Sequence, residues 1–286
     1  MSNSYDIDVS PETPELLEIA KVQLRETPEI RETAFKELRE LLKQNPDLFF
    51  GDDQNFLTIV LRCCHWYAES AIKLLRRIAE FRRDNEKLVK GLMPDDEKVA
   101  FTKGNVVNVL TNKDHLGRRV LVVNSGKLWN PDEVNVDQLF RLFYLIHIVA
   151  QLEKSSQING VVVIMDFDGL SLKQVKALSP ASQKRLLTFI QDAMPMRLKA
   201  VHFVKQPFIF NMVWTLFKPF VKEKLKSRMW FHGDDMKKLH KYIPAEVLPK
   251  NYGGTLPEIN YTGEDWYPCV EKYNQFYKDW NTYGFK

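Results

Sequence analysis

The run Val161-Val-Val-Ile-Met-Asp166 puts four β-branched side chains in a row and nothing polar before its last residue. A strand of this kind has no solvent face, so something must cover both sides of it. Helix-forming stretches flank it at about 135–155 and 171–193, a second apolar strand follows at 200–204, and a short one is expected at 229–231. Ahead of it, 106–110 and 119–124 read as strands around an Asp114-His115-Leu116-Gly117 turn. Strands alternating with helices predict an α/β layer with a mainly parallel sheet flanked by helices.

From residue 11 to 92 the pattern differs. Thr13 precedes Pro14 and Thr27 precedes Pro28, each a cap followed by proline at the first helical position. Ile30, Ala34, Leu38, Leu41 and Leu42 form one apolar stripe, and Ala71, Leu74, Leu75, Ile78 and Phe81 another. Gly91 and Pro94 close this unit. The reading is a small all-helical module over 11–92, an α/β domain over 93–257 and a C-terminal extension over 258–286.

The 286 residues carry a net charge of only +4, so any attraction to anions must come from local clusters, and a nucleic-acid partner is not expected. The residues Cys63, Cys64 and Cys269 have neither the number nor the spacing of a disulfide framework or a zinc site, which fits a reducing compartment. The acidic, polar N-terminal stretch lacks an apolar signal core, and no apolar run nears the ~20 residues that span a bilayer. In that setting the Asn260-Tyr261-Thr262 sequon is incidental.

Signals of catalysis are sparse. GxGxxG, the P-loop, GxSxG and HExxH are all absent. Asp166 and Asp168, at a strand end, could form an acid–base or metal pair, but carboxylates beside Gly169 more often shape a turn. Cys63, Cys64 and His65 are consecutive on a helical stretch and point about 100° apart, which suits packing better than a metal. His202, inside an apolar strand, reads as a core histidine.

Other stretches suit an apolar ligand. Residues 142–150 are apolar all round except for His147, and Phe140, Phe143, His147 and Ala150 share one face. Such a face serves a core or a pocket with one polar group equally well. Leu186, Phe189, Ile190, Ala193 and Met194 make a second stripe, with Met196 beyond Pro195. Phe208, Phe210, Trp214 and Phe217 then crowd into ten residues introduced by Pro207 as a helix start. Lys218, Lys222, Lys224, Lys226 and Arg228 follow, opposed only by Glu223, and read as helical i,i+4 sets of like charge. Aromatics joined to a basic segment are what an element contacting anionic membranes needs, although a solvated charge run beside a core helix has the same composition.

Several ordered segments resemble the CRAL-TRIO family, particularly its branch of tocopherol and retinaldehyde carriers. Residues 52–82 look like its helical N-terminal module, and Asp114-His-Leu-Gly117-Arg-Arg-Val-Leu-Val-Val like its DxxGRPVLV hairpin. Gln157-Ile-Asn159-Gly160-Val-Val-Val-Ile-Met-Asp166-Phe-Asp-Gly169-Leu is similar to its QxNGxxxIxDxxG strand. Lys218-Pro219-Phe220, His232-Gly233, Leu248-Pro249 and Tyr252-Gly253-Gly254 continue the pattern.

The resemblance implies a lipid-binding α/β domain in which residues 207–221 form a mobile gate that includes Phe208, Phe210, Val213, Trp214 and Phe217. It implies a pocket lined by Phe140, Phe143, His147, Val161, Met165, Leu178, Leu186, Phe189, Ile190, Met194, Leu198 and Val201. It places phosphoinositide contact on Arg197, Lys199, Lys224 and Arg228, while a further basic position of the family is Cys64 here. Phe143 and His147 replace small hydroxyl residues of the tocopherol carriers, pointing to a different cargo, and Met196 stands where phosphatidylinositol carriers place an acid.

The expectation is a non-enzymatic, monomeric, cytoplasmic carrier of one hydrophobic lipid (tocopherol-, retinoid- or carotenoid-like). No metal or other cofactor is expected, and visits to phosphoinositide-containing membranes, including endosomal ones, are transient. Phe208, Phe210, Trp214 and Phe217 are expected to insert as the gate opens, with His147 fixing a ligand hydroxyl or carbonyl. The rivals are an adaptor with no transported ligand and an enzyme acting at Asp166 and Asp168.

Overall fold

The computed structural model describes residues 6–286, so the first five residues of the acidic N-terminal stretch lie outside it. The helices Pro14–Leu24 and Pro28–Gln44 begin where their caps require: Thr13 and Thr27 accept the amide N–H of Leu16 at 3.2 Å and of Ile30 at 3.3 Å. Gln54–Cys63, capped by Asp53, Ala68–Asp84 and the short Glu86–Val89 complete the helical region.

The strands are β1 (Leu48–Phe49), β2 (Val107–Lys113), β3 (Arg119–Asn124), β4 (Val161–Asp166), β5 (Leu198–Val204), β6 (Met229–Phe231) and β7 (Gly284–Phe285). A five-stranded sheet runs β2-β3-β4-β5-β6, antiparallel between β2 and β3 and parallel from β3 onward. Strand order equals chain order, so right-handed crossovers bring all the connecting helices to one face.

The helical stretches between these strands are more broken than periodicity implied. The first splits into Val136–Ala150 and Lys154–Asn159. The second splits into Leu172–Ala177 and Pro180–Thr188 because Ser179 caps a new start with Pro180 at its first position. It ends in a π-helical turn, Phe189–Ala193.

Side chains alternate between the two faces of the sheet. Val120, Val122, Val162, Ile164, Ala200 and Val204 pack against Leu239, Ile243, Leu248 and Tyr252 of the segment after β6. Leu121, Val123, Val161, Val163, Leu198, Val201 and Phe203 face the crossover helices and belong to the main core, which continues into the N-terminal helices.

The C-terminal extension is built into this core. Its helices Gly263–Glu271 and Asn274–Thr282 lead into β7, which pairs antiparallel with β1. The Tyr277 hydroxyl donates to the Leu145 carbonyl at 2.9 Å, and Trp280 Nε1 donates to the Tyr144 hydroxyl at 3.0 Å. No helix among the described residues is long and apolar enough to cross a membrane.

Candidate functional site

Between the sheet and its crossover helices lies an apolar cavity of about 1150 Å³, counting the part open to solvent. β4 and β5 supply Val163, Met165, Leu198, Val201 and Phe203; Val136–Ala150 supplies Phe140, Phe143 and His147; and Leu178, Leu186, Ile190 and Met194 come from the β4–β5 crossover.

Two expected lining positions fall elsewhere. Val161 starts β4, whereas the cavity opens along the later residues Val163, Met165 and Phe167. Phe189 is buried among Phe81, Phe140, Tyr144 and His147 instead. Leu186 and Ile190 face the cavity, and Phe189 stands on the core side of the same stripe. Val123, Val163 and Phe203 were not foreseen, although alternation with Met165 and Val201 marks their face. Leu225, within the basic run, and Met229, just after it, gave no signal that they line the cavity.

His147 Nδ1 stands 2.6 Å from the Phe143 carbonyl. Burial lowers the histidine pKa to about 4, although the Phe143 carbonyl opposes the shift. The ring is therefore neutral at ordinary pH.

The covering helix spans Phe210–Phe217 and starts later than expected: Pro207 lies in the preceding turn, where its carbonyl accepts the Phe210 N–H at 2.9 Å. Val213 and Phe217 close the cavity. Phe210 is buried against Phe167, Phe203 and Phe231, and Trp214 packs edge-on to Phe231 at 5.1 Å. Of the four aromatics expected to insert as the gate opens, Phe208 is exposed, Trp214 and Phe217 are half-buried and Phe210 is buried. Phe208 is 91% exposed, and the other exposed apolar side chains nearby are Met212 (51%) and, on the edge strand, Trp230 (38%) and Phe231 (45%). The reason is helical geometry: the residues that face the cavity and sheet cannot also face out.

The basic run is broken up as well. After the covering helix, Lys218–Phe220 forms a 3-10 turn and Glu223–Lys226 a separate short helix, so Lys218, Lys222 and Lys226 do not form one helical row. Lys222 pairs with Asp192 at 2.6 Å and Lys226 with Glu223 at 3.2 Å. Gln191 clasps the same junction, donating to the Phe220 carbonyl at 3.0 Å and accepting the Lys222 N–H at 2.8 Å.

Arg197, Lys199, Lys224 and Arg228 behave differently: among the described residues none of the four forms an ion pair. Arg197 donates to the Ile158 carbonyl and Arg228 to the Leu198 carbonyl, and Lys199 reaches Gln23 Oε1 at 3.4 Å. Burial and the neighbouring Arg197, Arg228 and Arg118 lower the Lys199 pKa to about 8. A register shift between β4 and β5 sets Leu198 opposite Val161 and Ala200 opposite Val162, leaving Lys199 unpaired in the ladder. Gly160 permits this close approach: its φ is +83°, and a Cβ there would lie 2.4 Å from the Arg197 carbonyl oxygen.

Cys64 does not join this patch as a cation, but exposed His65 beside it feels the charges of Arg197, Lys199 and Lys224. Arg62 is buried away from solvent on Glu26 (2.7 Å), Glu12 (2.8 Å) and Gln157 (2.7 Å).

The carboxylates considered for catalysis are committed to structure. Asp166 accepts the Asp168 N–H at 2.9 Å and pairs with Lys205 at 3.0 Å, and Asp168 pairs with Lys127 at 2.6 Å. Both border a separate polar cavity shared with Asn124 and Tyr252. No cluster of His, Cys, Asp and Glu able to hold a metal occurs among the described residues.

With this geometry in view, the comparisons with known proteins agree on one family. Residues 103–254 match the CRAL/TRIO domain. Clavesin-1 of Pongo abelii is 33% identical over 86% of this chain and 70% of its own length, and Clavesin-2 of Homo sapiens 31% over 86% and 75%. The alpha-tocopherol transfer protein-like protein of Pongo abelii is 32% identical over 87% and 72%. A solved structure titled "Crystal structure of Sfh5" aligns over 70% of this chain and 71% of its own, at 21% identity and a TM-score of 0.47, too distant to bear on the argument. The CRAL/TRIO family implies lipid binding and transfer, generally without catalysis. An α/β sheet with an apolar cavity under its crossover helices, preceded by a helical region, thus places the chain in the CRAL/TRIO family.

Proposed function

We propose that the chain is a cytoplasmic carrier that holds one hydrophobic lipid in the cavity and exchanges it at phosphoinositide-containing membranes through movement of the Phe210–Phe217 helix. The observation that carries this reading is the apolar cavity closed by Val213 and Phe217 of that helix. A lipid of about twenty buried carbons forfeits roughly 0.8 kcal/mol per methylene on entering water, so release into solution is slow and exchange belongs at a bilayer.

The basic patch supports the membrane step. Arg197, Lys199, Lys224 and Arg228, none with a carboxylate partner among the described residues, gather at the starts of β5 and β6, and each can add about 1 kcal/mol beside anionic lipid. Phe208 and Met212 offer apolar side chains for the interface. Opening then lifts Val213 and Phe217 off the cavity, with the junction held by Gln191 and Asp192 acting as the fixed end.

The test is co-sedimentation with vesicles containing phosphatidylinositol bisphosphate. Lys224→Glu reverses an exposed charge and should weaken binding about tenfold or more, with the remaining affinity falling further as salt rises. Lipid affinity measured without membranes should not change. Vesicle binding equal to that of the unmodified protein would refute the patch.

A further inference from the structure

Four polar side chains interrupt the apolar wall of the cavity: Ser125, His147, Ser182 and Gln183. Their hydrogen bonds determine which polar group a ligand can bring. His147 Nδ1 faces the Phe143 carbonyl at 2.6 Å, and a carbonyl only accepts, so Nδ1 carries the ring proton and donates it. The ring is neutral, as its lowered pKa of about 4 requires, and Nε2 is left as a bare lone pair.

Gln183 also lines the cavity, but its free oxygen shows no surface to it. The Ser182 hydroxyl donates to the Ser179 carbonyl at 2.9 Å, so toward Gln183 its oxygen only accepts. This fixes the Gln183 amide with Nε2 donating to Ser182 at 3.1 Å. Oε1 is then buried without a hydrogen-bond partner. Ser125 can donate or accept and does not discriminate.

We propose that the cargo is a lipid alcohol or phenol whose hydroxyl donates to His147 Nε2. The proposal rests on the carrier reading and deepens it by naming the ligand class. A carbonyl or ester oxygen in place of the hydroxyl sets lone pair against lone pair and leaves His147 Nε2 unsatisfied. His147 is in this account a specificity residue, set by Phe143 one turn earlier on the same helix.

Geranylgeraniol and geranylgeranial share one carbon skeleton and differ in the terminal group, so their relative affinity, read by quenching of tryptophan fluorescence, isolates the hydroxyl. The unmodified protein should bind the alcohol at least about tenfold more tightly. In His147→Phe the ratio should fall toward one because alcohol binding weakens while aldehyde binding does not, and His147→Gln, which restores an acceptor, should recover part of the preference. Aldehyde binding as tight as alcohol binding in the unmodified protein would overturn the proposal and leave the carrier reading standing. Failure of both compounds to bind would overturn the carrier reading and the proposal with it.

Discussion

Neighbouring residues of β4 meet opposite surroundings. Val162 and Ile164 project into a solid cluster with Leu239, Ile243, Leu248 and Tyr252, whereas Val163 and Met165 border empty space. The strand sequence is equally apolar on both sides, so composition does not decide which face is filled. What decides is the covering layer: on one face a local segment drapes directly over the sheet, and on the other helices stand off around a gap. An apolar face left unfilled forfeits dispersion contacts, and such a loss is tolerated where something else occupies the space in use.

The sharpest way to break this comparison is to truncate neighbours. Ile164→Ala opens a new void in a packed cluster and should cost about 3 kcal/mol, while Met165→Ala only enlarges an existing cavity and should cost about 1 kcal/mol or less. Urea unfolding of the two variants reads the difference directly. Equal losses would mean that the two faces are packed alike.

A smaller effect separates the faces by titration. His147 borders the cavity and His202 lies on the packed side, hydrogen-bonded to His232 at 2.9 Å. Burial lowers their pKa values to about 4 and about 3, and His232 contributes to the second shift. Both lie below the unfolded value of about 6.5, so the unfolded chain binds the extra protons. Stability from these groups is present above pH 6.5 and is lost as pH falls toward 4, by about 2 kcal/mol per histidine at pH 5 relative to pH 7. Unfolding measured at pH 7, 6 and 5 should show this slope, and His147→Phe should remove about one proton from it. An unchanged slope in His147→Phe would contradict a neutral, buried ring.

Much of this arrangement was readable in the residues, and the reasons for the exceptions are physical. The run Val161–Asp166 implied a strand covered on both faces, and Thr13 and Thr27 marked helix starts, because alternation and capping are local. Phe189 could not be placed, since an apolar stripe of that width meets both the cavity and the core behind it, and only tertiary contact with Phe81 and Phe140 assigns Phe189 to the core. The basic run could not be sorted into paired and unpaired cations, because Asp192, thirty residues before Lys222, neutralises it through tertiary contact. The C-terminal segment looked like an appendage, yet Tyr277 and Trp280 are buried on the Val136–Ala150 helix through partners more than a hundred residues away. His147 showed as one polar group among aromatics, but its donor and acceptor roles depended on where the Phe143 carbonyl lay.

The central claim is that the unfilled face of the sheet is a lipid site, and the mass of the small molecule retained by the purified chain tests it most directly. Native mass spectrometry should find one hydrophobic lipid per unmodified chain after exposure to lipid vesicles. Val201→Trp, which fills the cavity from β5, should carry none while unfolding within about 1 kcal/mol of the unmodified protein. An unmodified chain that emerges empty, or a folded Val201→Trp that retains the same lipid, would contradict the account.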